Sequence, residues 1–147
     1  MVTVALIATQ TLDAIAAETI AGSGREVCGL LFGSGDRITA HRPIPNIADD
    51  PTRRFEIEPG ALLTAHREVR AGGPAILGCY HSHPTGSPEP SARDATDAEP
   101  NGWIWLIVGA GEAKLWRAVR DGLVHGRFDP VPFTCVDGPC APKGALP

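Results

Sequence analysis

The chain has no surplus of positive charge. Thirteen lysines and arginines stand against seventeen aspartates and glutamates, a net charge of -4, so no polybasic face is on offer to a nucleic-acid backbone. No apolar run is long enough to cross a bilayer: the longest, such as Ile104 to Ala110 with Trp103 and Trp105, are strand-sized. None of the four cysteines forms a Cys-x-x-Cys pair, which leaves a structural zinc ribbon without support. The first twenty residues lack a basic n-region, and Asp13 interrupts their apolar stretch, which argues against a secretory signal. Internal repeats and low-complexity segments are also missing. What remains is an ordinary soluble composition, 43% hydrophobic and 20% charged over 147 residues, enough for one domain with its own core. Cytoplasmic residence is the expectation.

The cysteines fit that compartment. Cys28 and Cys79 lie in apolar strand-like runs, where a free thiol behaves as a small hydrophobe. Cys135 and Cys140 flank Val-Asp-Gly-Pro and could pair or remain two idle thiols. Hydrophobic periodicity orders the rest. Thr3 to Ala8 reads as a strand, followed by a helix capped at Thr11 or Asp13 and running to about Ile20. Val27 to Phe32 is apolar on both faces, as in the centre of a sheet, and Gly33 to Asp36 turns it into Arg37 to Arg42. Arg54 to Ile57 reads as a short strand, and Pro59 opens a second long helix closed by Gly72-Gly73. Strands are expected over Trp103 to Val108, Ala113 to Arg120 and Leu123 to Phe128, with a Pro-, Gly- and Cys-containing surface tail after residue 130.

The chemistry concentrates in Gly78 to Asp94. Pro74 to Tyr80 reads as a buried strand that delivers His81 and His83 at its end. Side chains at i and i+2 of a strand share a face, so both imidazoles can reach one point. Pro84 ends the strand, a Pro- and Gly-rich loop follows, and Ser91 opens a short helix as its N-cap, with Asp94 at the third helical position. Either role could be purely structural. Taken together, two histidines and a carboxylate brought to one cleft are the three-ligand set of a catalytic zinc, which keeps a fourth position open. Glu26, just before the Val27 strand, is a candidate base. By itself, a glutamate in such a place is most simply a solvated surface residue. His41, His66 and His125 read as surface residues, the three tryptophans as packing, and Ser82 points away by strand alternation.

These residues carry a family resemblance. Glu26, the following VCGLLFG, His81-Ser82-His83-Pro84 and Ser91-x-x-Asp94 resemble the JAMM (MPN-plus) metallopeptidases, with eight residues from His83 to Ser91 and eleven to Asp94. Asn46 and the stretch Arg54 to Pro59 resemble the bacterial branch. The resemblance covers roughly Thr3 to Phe128, which places a metallopeptidase domain over residues 1–130 and a tail over 131–147. It implies a cytidine-deaminase-like α/β fold: a mixed, largely antiparallel sheet flanked by two long helices and a short active-site helix. It implies one zinc ion per chain on His81, His83 and Asp94, with Glu26 taking a proton from water and returning it to the leaving amine. Ser91 would stabilise the oxyanion, a donor role that competes with its use as a cap acceptor. The implied activity is hydrolysis of an amide bond, with the tail of a ubiquitin-like or sulfur-carrier protein as the implied partner. The chain lacks the long insertions of the eukaryotic deubiquitinating relatives, which favours a small bacterial-type enzyme.

Two rivals stand beside this reading. Non-catalytic scaffolds of the same fold lack the ligand residues, whereas all five positions are present here. Zinc deaminases are expected to show His-x-Glu with Pro-Cys-x-x-Cys, and this chain has no Pro-Cys-x-x-Cys.

Overall fold

The computed structural model describes residues 4–139. Eight strands form one sheet: β1 (Ala5–Ala8), β2 (Cys28–Ser34), β3 (Arg37–Ile44), β4 (Ala75–His83), β5 (Ile104–Gly109), β6 (Glu112–Gly122), β7 (Gly126–Val131) and β8 (Phe133–Val136). Their spatial order is β7-β6-β5-β4-β2-β3-β1-β8. The pairs β2–β3, β2–β4, β5–β6 and β6–β7 are antiparallel, and β1–β3, β1–β8 and β4–β5 are parallel. The sheet is therefore mixed and largely antiparallel, with two long helices, α1 (Thr9–Ala21) and α2 (Pro59–Arg70), and the short α3 (Ala92–Asp97).

Strand alternation sorts the apolar residues into two cores. On one face, Tyr80, Leu106 and Leu31 pack with Leu12 and Ile15 of α1. The other face carries Cys79, Trp105, Ile107, Trp116 and Phe128, and Leu30 and Phe32 meet Ala65 of α2 beside them. The Tyr80 hydroxyl donates to the Glu18 carboxylate of α1 at 2.9 and 3.0 Å. This fastens α1 behind the histidine strand, on the face opposite the site.

β4 lies in the middle of the sheet, so its backbone is paired on both sides. His81 stands opposite Cys28 of β2 and Ile107 of β5. The two histidines are therefore the last residues of a central strand, not the start of a loop after it. Gly78 is what lets β5 come in alongside: a Cβ there would collide with the backbone of Ile104. Gly78→Ala is expected to destabilise the fold by about 3 kcal/mol through overpacking, read as a lower urea midpoint with an unchanged slope.

Four expectations need correction. α1 begins at Thr9 directly from β1 and has no side-chain cap. Thr11 Oγ1 instead donates to the Thr39 carbonyl at 3.2 Å, tying α1 to β3. Arg54 to Ile57 is extended but is not a strand, with one isolated bridge, Asn46 to Ile57. There the Asn46 side chain substitutes for a partner strand, donating to Arg54 O at 3.0 Å and accepting from Glu56 N at 3.1 Å. The boundary expected after residue 130 falls within β7, and the first part of the expected tail is β8, paired with β1. Phe133 and Cys135, two residues apart and so on one face, pack against the core, which draws this segment into the sheet. Cys28 and Cys79 are buried free thiols. Cys140, and with it the question of its pairing with Cys135, lies outside the described residues.

Candidate metal centre

Two elements meet at the C-terminal end of β4, the strand itself and α3. His81 and His83 project from one face of that strand, and Asp94 comes from the first turn of α3. The His81 and His83 Nε2 atoms are 3.0 Å apart, and each lies 3.1 Å from Asp94 Oδ2. His81 is fully buried and Asp94 nearly so. Three donor atoms forming a triangle of near-equal sides fit a tetrahedral zinc. Bonds of about 2.0–2.1 Å to that ion would space its ligands by about 3.3 Å. Glu26, His81 and His83 form a looser set, with one ligand atom each within 4.8 Å of one another. The tighter set is the one the resemblance implies.

The orientation of His83 follows from its other nitrogen. Nδ1 lies 2.8 Å from the Ser87 carbonyl, which can only accept, so Nδ1 keeps a proton and Nε2 is the nitrogen that can give its lone pair to an ion in place of a proton shared with Asp94. The loop that supplies this carbonyl is clamped from the sheet. Trp116 Nε1 donates to Pro88 O at 2.9 Å, Lys114 pairs with Glu89 at 2.8 Å, and His125 Nε2 donates to Pro90 O at 3.1 Å. The Trp116 clamp is buried. Trp116→Phe would keep the ring in the core and free Pro88. It is expected to weaken zinc binding on the order of tenfold in a chelator-competition titration, and unchanged affinity would remove Trp116 from this supporting role.

Asp94 is also part of a capping box. Ser91 Oγ accepts from Asp94 N at 3.0 Å, and Asp94 Oδ2 accepts from Ser91 N at 2.9 Å. The cap bond uses a lone pair of the Ser91 hydroxyl and leaves its proton for another acceptor. Capping and donation therefore do not compete.

Glu26 is not the solvated surface residue its sequence context alone suggests. It is 6% exposed, and its Oε1 has no hydrogen-bond partner. Its backbone is held from two sides: the amide donates to Pro51 O at 2.7 Å, and the carbonyl accepts from Asn46 Nδ2 at 2.9 Å. Val27 N donates to Ser82 Oγ at 3.0 Å from the far face of β4, so Ser82 joins the two strands behind the site.

The charges in the site divide. Burial pushes the Glu26 carboxyl up to about 7, against the pull of His83. Asp94 moves the other way: burial alone would raise it, but the hydrogen bonds from His81 and His83 hold it well below the usual carboxylate range. Burial lowers His81. Burial also opposes protonation of His83, but Asp94 and the Ser87 carbonyl outweigh it and raise that histidine. One carboxylate is thus held ionised among the histidines, while another, beside them, is poised near neutrality. Groups pushed apart in this way are the usual marks of divided roles in a site.

Phe55 and Trp105 were not singled out for the site by the sequence. Phe55 stacks on the His81 ring at 4.2 Å between centroids, and Trp105 meets the same ring edge-on at 5.7 Å. Both rings pack directly against the buried imidazole. Phe55 lies within the Arg54 to Pro59 stretch already noted for its resemblance, and that was its one signal. His41 and His66 lie on β3 and α2, outside this cluster.

The buried His-His-Asp triangle at the end of a central strand, beside a buried glutamate whose Oε1 has no partner, is a candidate metal centre. The family described as prokaryotic homologs of the JAB domain matches residues 8–120, and the chain belongs to that family. A desampylase of Haloferax volcanii is 37% identical over 84 residues, covering 56% of this chain and 60% of its own length. A probable TtuB-protein conjugate cleaving protease of Thermus thermophilus is 39% identical over 56 residues, 38% of each chain. The chain thus spans less than two thirds of the length of either relative. Among solved structures, a protein of Desulfitobacterium hafniense superposes with a TM-score of 0.73 at 25% identity, over 91% of this chain and 94% of its own. Among the described residues, no helix is long and apolar enough to cross a membrane.

Proposed function

We propose that this protein is a zinc-dependent isopeptidase that cleaves the amide joining the C-terminal tail of a ubiquitin-like or sulfur-carrier protein to an amine. The observation that carries this reading is the pairing of a pre-formed His81-His83-Asp94 triangle with a buried, partnerless Glu26 near neutrality. The names of the Haloferax and Thermus relatives support the conjugate as substrate.

His81, His83 and Asp94 would hold the ion. Zinc, when bound, supplies Lewis acidity, which acidifies water and polarises a carbonyl. Glu26 takes the proton from the attacking water and delivers it to the departing nitrogen, a task suited to a carboxyl titrating near the working pH. The Ser91 hydroxyl donates to the oxygen on which negative charge develops. Phe55 and Trp105 keep water off His81 and lower the local dielectric, which strengthens each of these interactions.

A scaffold has no use for a complete ligand set with an adjacent unpaired carboxylate, and nothing in the site favours that reading. The test is metal content by elemental analysis together with cleavage of a ubiquitin-like protein conjugate. One zinc per chain, with cleavage lost on chelation and restored by zinc, is the expected result. Absence of bound metal after zinc has been supplied would overturn the reading.

A further inference from the structure

The β2–β3 ladder stops just short of Glu26. Cys28 stands opposite Ile44 and Gly29 opposite Pro43, a register that, carried past its last pair, sets Glu26 against Asn46. Backbone pairing has ended there, and the Asn46 side chain makes the contact instead. Its Nδ2 donates to Glu26 O at 2.9 Å and to Arg54 O at 3.0 Å. Its Oδ1 accepts from Ala48 N at 3.0 Å and from Glu56 N at 3.1 Å. Two carbonyls that can only accept and two amides that can only donate fix which end of the side chain is which.

Arg54 O and Glu56 N are the peptide groups on either side of Phe55, so one amide brackets the residue whose ring stacks on His81 at 4.2 Å. The same amide holds the carbonyl of Glu26, whose own amide donates to Pro51 O a few residues beyond Asn46. Glu26 and Phe55, far apart in sequence, are thus tied to a single side chain. Asparagine suits this junction: aspartate has no donor, serine and threonine have one hydroxyl, and glutamine is a methylene longer.

We propose that Asn46 is a positioning residue for hydrolysis, placing the base through Glu26 and seating the ring on His81 through Phe55, a role that rests on the isopeptidase reading above. A general base must come within hydrogen-bond reach of the water it deprotonates, and a misplacement of about 1 Å costs on the order of 100-fold. Glu26 Oε1 has no partner, so no bond there steadies the carboxyl. Its backbone anchors carry the precision instead.

Asn46→Ala removes all four bonds, and Asn46→Asp keeps the two acceptor bonds while losing both donors. Both variants are expected to keep zinc and to lose about 10–100-fold in kcat on a ubiquitin-like protein conjugate, with KM within about twofold. In a Glu26→Gln background the same substitutions are expected to cost roughly threefold or less, because a residue acting through the base has nothing left to place. Turnover is not the only readout. In zinc-loaded Asn46→Ala, the ring-current shift of the His81 protons, read by NMR, is expected to fall to its value in Phe55→Leu. Equal losses in both backgrounds, wild-type kcat in Asn46→Asp, or an unmoved His81 shift each overturn the assignment. Failure of both variants to fold also overturns it, by making Asn46 a residue of the fold alone. The two readings fail separately. A wild type that cleaves no conjugate, beside a His81 shift lost in the variant, sinks the isopeptidase reading and leaves the seating of Phe55 intact. Cleavage that survives undiminished in both variants sinks the role of Asn46 alone.

Discussion

Glu26→Gln is expected to keep zinc, to lose conjugate cleavage by about 10²–10⁴-fold, and to make the zinc-free protein more stable above neutral pH. The three outcomes have one cause. Glu26 is buried, its Oε1 has no partner, and its carboxyl is pushed up to about 7 from an ordinary 4.5. A carboxyl whose folded pKa is raised adds no penalty while it is protonated, and stability falls as pH rises from the unfolded value through the folded one. Wild type and Glu26→Gln should therefore melt alike below about pH 4.5 and diverge between 4.5 and 7. Above that window the glutamine variant should lead by about 3 kcal/mol, the free-energy equivalent of the shift. Thermal melts at pH 4, 6 and 8 on chelated protein read this directly. A bound dication favours the carboxylate, so cleavage by the loaded enzyme should rise with pH through a value at or below 7. If the glutamine variant retains turnover, Glu26 is not the base. If it gains no stability at pH 8, the carboxylate is not desolvated as its burial implies.

That conflict between stability and use explains what could be read from the sequence and what could not. The ligand triad was legible because each part is local. Period-two alternation places His81 and His83 on one face, and Ser91-x-x-Asp94 is a capping pattern whose geometry is set within one turn. Glu26 was not legible from its own surroundings, because its burial is produced by residues far along the chain. Pro51 and Asn46 hold its backbone, and Ser82 holds the next amide. Resemblance supplied what spacing did not. The same distinction accounts for the errors in the fold. Arg54 to Ile57 has strand-like composition, but a single asparagine side chain takes the hydrogen bonds a neighbouring strand would have taken. Residues 133–136 follow a Pro-rich stretch and read as surface, yet they pair with β1 at the sheet edge. Phe55 could be seen only as one aromatic in a charged segment. Its stacking on His81 depends on the tertiary path that Asn46 sets.

Asp94 gives the second large effect, with the opposite sign in pH. Asp94→Ala is expected to lower zinc affinity by at least about 100-fold, because it removes a donor atom that lies 3.1 Å from both imidazoles. The alanine variant also breaks the capping box, which costs about 1 kcal/mol, so it cannot by itself separate a ligand from a cap. Asp94→Asn does so. Its side-chain oxygen can still accept from Ser91 N, as Asp94 Oδ2 does at 2.9 Å, and α3 should persist. The negative charge that suits a dication is gone. The folded carboxyl lies well below its ordinary value, held there by His81 and His83 against burial. A carboxyl of that kind stabilises the fold above its unfolded pKa and loses the contribution as pH falls. In zinc-free protein, wild type should therefore lead Asp94→Asn at neutral pH and forfeit that lead progressively below about pH 4, the reverse of the Glu26 comparison. Zinc titration of the asparagine variant at pH 7 separates the two roles. Weakened binding in a protein whose α3 is intact makes Asp94 a ligand. Wild-type affinity would reduce it to the cap of a short helix and leave the two histidines in need of another third donor, for which Glu26, within 4.8 Å of both, is the nearest acidic candidate.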